Sequence, residues 1–402
     1  MSVSEISGVS DAIDRAALQK AGFDAETLGR LERHFQQLIL DNKLQCASYL
    51  LSQDGIVFAK GASGSLHYES PESAELRTDS IRRIASVTKL FTAVAVFQLI
   101  EQGKLFLRQS VSEWIEEFKN PMYEKVQIWH LLTHTSGIQA DPFYYLEPYP
   151  MGWWNIVFAF EPDTEGPYAV KNADELEKQR CSAWLKAVLS GKPLAAPGEQ
   201  WIYSSAGYAV LGEIIARASG MPYEQYILDK IAKPLGMNRT FFDVPAELHS
   251  EVCVINEFEK QRLDEHENRK YAPPRAGGGL YSTLDDLFLF GQMLLNGGHY
   301  NGVRIVSRKS IEKLASNTLG SGVKGFCWGG KITEFTYGLG ASITGPGEWM
   351  PEGTYGHEGA GRCKLMVDPK HKAVIAFFVP SNVEWCPESI TGTQNIIGSG
   401  WL

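Results

Sequence analysis

No run of about 18 or more apolar residues occurs in the chain, which excludes an ordinary helical membrane span, and no membrane partner is expected. The six cysteines, Cys46, Cys181, Cys253, Cys327, Cys363 and Cys386, form no C-x-x-C pair and no metal-finger spacing. Scattered thiols of this kind suit a reducing compartment, so a cytoplasmic location is expected. The stretch from Met1 to Ala12 carries Glu5 and Asp11 and has neither a basic region nor an apolar one, so no secretory signal is expected. Positive charge is scarce too. Against 47 Asp and Glu there are 38 Lys and Arg, a formal net charge of -9, and no basic cluster is interleaved with aromatics. Such a surface repels phosphate backbones, which argues against nucleic acid as a partner. Internal repeats and low-complexity linkers are also absent.

What remains is a globular composition, 44% hydrophobic and 21% charged, in a chain of 402 residues. That length suits two packed domains with a cleft between them. Asp24 with Glu26 marks a helix start, and Leu28, Leu31, Phe35, Leu38 and Leu40 carry the helix toward Lys43. Two strand-like runs then flank Asp54-Gly55, a pair suited to a tight hairpin turn. A short strand from Ile81 to Ile84 leads into Ser86 and an apolar helix that Gly103 stops. Helices are expected next around Val111 to Phe118, Ile128 to Thr133, Leu176 to Leu189, Gly207 to Ala218 and Tyr223 to Ile231. Helices near Thr283 to Leu295 and Ser310 follow, then strand-like runs from Tyr337 to Ile343, Cys363 to Val367 and Ala373 to Phe378.

This order predicts an α+β fold: an antiparallel sheet assembled from both ends of the chain and flanked by terminal helices, with an inserted, mainly helical domain. Residues 1–79 and 276–402 would form the sheet domain and residues 80–275 the helical one. The segment from Phe143 to Phe160, dense in Phe, Tyr and Trp and broken by Pro148, Pro150 and Gly152, is either core packing under a long loop or the wall of the cleft. In the second case Tyr145 and Trp153 would contact substrate.

Ser86-Val-Thr-Lys89 is an S-x-x-K, in which residues three apart share a helix face and bring the amine near the hydroxyl. The pattern alone is cheap, since Ser310 with Lys313 and Ser321 with Lys324 match it as well. Ser310 reads as part of a charged, surface-like helix and Ser321 as part of a Gly-rich loop, whereas Ser86 opens an apolar helix. Burial there disfavours the Lys89 ammonium, and a helix N-terminus favours developing negative charge on the serine. The bland alternative for Ser86 is a helix cap.

A Pro197-Gly198 turn delivers Tyr203 and Ser205 just before another apolar helix, where a phenol beside a lysine can exchange protons and Ser205 can bond substrate or the amine. A packed aromatic is the commoner fate of a tyrosine. His357-Glu-Gly-Ala-Gly361 precedes a strand, so an exposed amide such as that of Ala360, with that of Ser86, could form an oxyanion hole.

In this order the three elements resemble the serine β-lactamase and penicillin-binding-protein superfamily, in particular its class C β-lactamase-like branch with family VIII carboxylesterases and D-amino-acid peptidases. The resemblance spans roughly Leu28 to Val379 and includes Leu131-Leu-Thr-His-Thr-Ser-Gly137, Pro234-Leu-Gly-Met237, Ala276-Gly-Gly-Gly-Leu280 and Val367-Asp-Pro369. It implies Ser86 as the acylated nucleophile, Lys89 as proton acceptor or electrostatic activator, and Tyr203 as base or proton shuttle. The oxyanion hole would be the Ser86 and Ala360 amides, with Ser205, His357 and Gly359 toward the substrate. Which of Lys89 and Tyr203 takes the first proton stays open. The His-Thr-Ser-Gly segment is expected to be a helix-ending turn without a chemical role.

Two departures from the β-lactamases bear on substrate. Ser205 stands where they mostly carry Asn, and His357-Glu358 where they carry Lys and a small hydroxyl residue. If Glu358 points into the cleft it repels an anionic substrate. The expected activity is therefore a carboxylesterase acting on small neutral or apolar acyl esters. The alternatives are a D-amino-acid peptidase or amidase, a weak β-lactamase, and a non-catalytic binding or sensing member. His130 and His134 lie four apart, yet no Glu follows His130 and no third ligand suggests itself, so no metal and no cofactor is expected. No G-x-S-x-G elbow occurs either.

Overall fold

The computed structural model describes residues 12–69, 74–141, 165–166, 169–264, 273–327, 331–383 and 386–402. After a two-residue strand, β1 (Ala12–Ile13), the Asp24 carboxylate accepts from the Glu26 and Thr27 amides and starts α1 (Ala25–Leu40). The expected hairpin follows as β2 (Cys46–Gln53) and β3 (Ile56–Gly64). Asp54 and Gly55 both take positive φ, 49° and 82°, as a primed two-residue turn requires.

The strand Ile81–Arg83 pairs with Val252–Cys253 on one side and Tyr281–Ser282 on the other. It leads through one 3-10 turn, Ala85–Val87, into α2 (Thr88–Glu101). Residues Thr88 to Phe97 of this helix are all buried, the expected fate of a helix that is apolar all round. α3 (Ser205–Ser219) packs against it, opened by Ser204, whose hydroxyl accepts from the Gly207 amide.

Three expected elements differ. The Val111 to Phe118 segment forms two 3-10 turns, Val111–Glu113 and Glu116–Phe118, because so short a segment gains little from the costly first turn of an α-helix. Val111, Ile115 and Phe118 are still buried, as the spacing required. The Tyr223 helix runs to Ile227 and then widens to a π turn over Leu228–Ala232, next to Pro234, which has no N–H to give. Of the run from Tyr337 to Ile343, only Ser342–Ile343 is a strand. Before it the backbone turns at Gly340, at φ 107°, where a Cβ would lie 2.3 Å from Ala93 Cβ.

α4 (Leu284–Leu295) precedes the remaining strands, β4 (Ser342–Ile343), β5 (Tyr355–Gly359), β6 (Cys363–Asp368) and β7 (Ala373–Phe378), and α5 (Thr393–Gly398) lies near the C-terminus. The seven strands form one antiparallel sheet in the order β1-β3-β2-β7-β6-β5-β4. Early and late parts of the chain therefore pair directly, with Leu50 of β2 opposite Ala376 of β7. Alternation divides β7: Ile375 and Phe377 join a core with Leu28, Phe35 and Ile397, while Val374, Ala376 and Phe378 join the larger core of α2, α3 and α4. Among the described residues no helix is long and apolar enough to cross a membrane.

Candidate active site

Ser86 lies in the 3-10 turn that joins strand to helix, immediately after Ala85, which is held at φ 43°. For a residue with a Cβ this left-handed conformation costs about 1–3 kcal/mol and persists only where packing enforces it. Here the packing is close. A Cβ on Gly278 would stand 3.4 Å from the Ala85 carbonyl carbon, and one on Gly359 would stand 3.2 Å from Ala85 Cβ. Ser86 makes no capping bond to either helix; its hydroxyl meets Lys89.

Lys89 Nζ sits 3.1 Å from Ser86 Oγ, 3.0 Å from Ser205 Oγ and 2.6 Å from the Gly277 carbonyl oxygen. The side chain is completely buried. Desolvation pulls its amine down to about 8, partly opposed by the nearby Asp141 carboxylate. The amine also lies over the rings of Tyr203, 4.7 Å from the centroid, and Tyr208, 5.4 Å. Tyr203 is thus brought to Lys89 through its ring face.

Ser205 is fixed from the other side. Its hydroxyl donates to Asp141 Oδ2 at 2.6 Å and its amide to Oδ1 at 2.7 Å. The Asp141 amide in turn donates to the Tyr203 carbonyl at 2.8 Å. A carboxylate at the first N–H group of α3 is favoured by the helix dipole, yet desolvation raises its pKa, with Lys89 and the Ser205 bonds pulling the other way.

His134, expected to be inert, packs against the site. Its ring lies 4.3 Å from that of Tyr203 and 5.1 Å from that of Tyr208, and its Nδ1 accepts from the Ser204 amide at 3.1 Å. Burial and Lys89 hold it well below the usual histidine range, so the ring is neutral. His357 is also buried and is pushed down to about 3, first by desolvation and then by Lys89. Its Nδ1 lies 2.6 Å from the Glu358 carbonyl, which can only accept, so Nδ1 carries the proton and Nε2 accepts from the Tyr337 hydroxyl at 3.3 Å.

Gly359, at the end of β5, serves close approach: a Cβ there would meet Ile84 O at 2.3 Å and Cys363 Sγ at 2.5 Å. This packing brings the exposed Ala360 turn alongside the segment that carries Ser86. Glu358 does not share the His357 side of the strand. Strand alternation turns it to the opposite face, where it pairs with Arg362 at 3.5 Å and Lys364 at 3.9 Å, so the repulsion of an anionic substrate expected from it does not arise. Tyr145 and Trp153, and the whole segment from Phe143 to Phe160, lie outside the described residues.

Two site residues were missed from sequence, Asp141 and Gly277. The signals were present, since Asp141 closely follows the His-Thr-Ser-Gly segment and Gly277 opens the triple glycine, but only the tertiary fold brings them to Lys89. Of the other S-x-x-K matches, Ser310 is buried rather than on the surface, and its hydroxyl donates to Glu101 Oε1 at 2.6 Å.

The Beta-lactamase family model matches residues 30–385 of the chain. Protein Rv1367c of Mycobacterium tuberculosis (strain ATCC 25618 / H37Rv) is 28% identical over 360 residues, 81% of this chain and 82% of that protein. Among solved structures, EstCE1, described as a hydrolase with promiscuous acyltransferase activity, superposes with a TM-score of 0.69 at 20% identity, covering 93% of this chain and 98% of that one. A family VIII carboxylesterase gives a TM-score of 0.66 at 20% identity, covering 94% and 98%.

Proposed function

The chain belongs to the beta-lactamase family, a family of serine hydrolases, and we propose that it cleaves carboxylic esters of small neutral or apolar acyl groups through an acyl-enzyme on Ser86. The observation that carries this reading is the buried Lys89 amine, 3.1 Å from Ser86 Oγ and with its pKa drawn down to about 8. An amine of that pKa is partly unprotonated near neutrality and can accept the serine proton as Oγ attacks a carbonyl carbon. Tyr203, against Lys89, completes the acid/base set as a proton shuttle: it gives its hydroxyl proton to the leaving oxygen and takes one back from the Lys89 ammonium. The Ser86 and Ala360 amides hold the oxyanion. Ser205 is engaged with Lys89, and Gly359 lets the Ala360 turn reach the nucleophile.

The preference for neutral acyl groups follows from His357. Where the β-lactamase pattern has a lysine, a buried imidazole with its pKa pushed down to about 3 supplies no positive charge for a substrate carboxylate. Efficient turnover of penicillins or of peptides with a free C-terminal carboxylate is therefore not expected. The test is hydrolysis of p-nitrophenyl esters against a penicillin and a D-alanyl dipeptide. Ester turnover that Ser86→Ala abolishes supports the reading. Peptide or penicillin turnover exceeding that of the esters overturns the substrate class.

A further inference from the structure

We propose that Asp141 is a positioning residue of the acylation step, acting through Ser205 to aim the lone pair of the neutral Lys89 amine at the Ser86 hydroxyl. This rests on the reading of Ser86 as nucleophile and adds to it a half-buried carboxylate behind Ser205. A neutral lysine amine has two N–H bonds and one lone pair. The Gly277 carbonyl, 2.6 Å away, can only accept, so it takes one N–H. Ser205 Oγ, 3.0 Å away, could donate or accept. The Asp141 carboxylate decides which, because the single Ser205 hydroxyl hydrogen is directed to Oδ2 at 2.6 Å. Ser205 Oγ must then accept the second N–H of Lys89. What is left is the lone pair, facing Ser86 Oγ at 3.1 Å.

In the reacting step the Ser86 hydrogen moves to that lone pair as the Oγ–carbon bond forms and the carbonyl π pair shifts to oxygen. The ammonium then has three N–H groups for its three oxygen partners, so no bond in the cluster has to reverse. Asn at position 141 breaks this order. Its single carbonyl oxygen is taken by the Ser205 amide, and its NH2 faces Ser205 Oγ. The Ser205 hydrogen then turns to Lys89, and the lone pair follows it away from Ser86.

Among the described residues, the charged and titratable groups facing Lys89 are Asp141, Tyr203 before α3 and Tyr208 on it, His134 after the helix Ile128–Leu132, and His357 on β5. Both histidines are neutral at working pH, so Asp141 is the carboxylate that favours the lysine's proton. Its removal moves the acid limb of acylation to lower pH.

The experiment follows the rate of fluorophosphonate labelling at Ser86 against pH for the wild type, Asp141→Asn, Ser205→Ala and the double variant, with thermal unfolding as the check on folding. Asp141→Asn is expected to slow labelling by about tenfold or more and to shift the acid limb downward. In the Ser205→Ala background the same change is expected to slow labelling above the acid limb by less than about twofold, since Asp141 then has no hydroxyl to orient and keeps only its charge effect on Lys89. An unchanged rate and limb, or an equal loss with and without the Ser205 hydroxyl, overturns the proposal. Should Asp141→Asn fail to fold, Ser205→Ala and Ser205→Thr decide. A loss in the first with recovery in the second supports the relay, and wild-type labelling by Ser205→Ala overturns it. A wild type that does not label at Ser86 at all sinks the underlying reading as well.

Discussion

Arg82 and Glu259 form an ion pair at 2.9 Å with side chains 1% and 5% exposed, and the same guanidinium donates to the carbonyls of Cys253 and Gly361. Arg82 therefore ties the strand that leads to Ser86 to the turn that carries Ala360. Glu259→Ala leaves this guanidinium buried without its charge partner, at an expected cost of about 3–5 kcal/mol. Urea denaturation measures it. A change within about 0.5 kcal/mol would mean that the pair is dispensable.

Gly359→Ala places a methyl group against a backbone oxygen, Ile84 O, that cannot move without shifting the Ser86 turn. A loss of about 1–3 kcal/mol is expected, together with a fall in ester turnover at unchanged Ser86 content. Gly191, with open space around its Cβ position, is the control, and Gly191→Ala should leave both quantities as they are. Equal effects at the two positions would contradict the close packing of β5 on the Ser86 turn.

The acid limb of ester turnover should fall at about pH 8, where Lys89 gains its proton. His134 and His357 stay neutral well below that and should add no limb near pH 6. Stability carries the same signature. The folded pKa of Lys89 lies below its ordinary value of 10.5, so between about 8 and 10.5 the unfolded chain binds more protons and stability rises with pH. Below about 8 both states are protonated and the full cost of burying the ammonium remains. The wild type should accordingly gain in Tm relative to Lys89→Met as pH rises through that window. A constant difference would place the lysine pKa at its ordinary value.

Ser310→Ala tests the reading that the Ser310–Lys313 match to S-x-x-K is a chance one. Ser310 bonds Glu101, so its loss is expected to cost about 1 kcal/mol of stability and no activity.

The hairpin, α1 and the pairing of early with late strands were legible because each rests on local chemistry: Asp54-Gly55 for the turn, Asp24 for the cap, period-two burial for β7. The Val111 and Tyr337 segments were less so, because 3-10 and glycine turns preserve the same apolar spacing as the helix or strand they replace. Within the site, the Ser86–Lys89 pair followed from helical spacing, whereas Asp141 came from a segment separated from Ser205 by 64 positions. The orientation of Glu358 was readable in principle from strand alternation once β5 was placed.

The most direct test of Ser86 as the nucleophile is intact mass spectrometry after incubation with a fluorophosphonate, followed by peptide mapping. One phosphonyl adduct, located on Ser86 and lost in Ser86→Ala, is the expected result. An adduct on another residue, or no adduct in protein shown to be folded, would contradict the account.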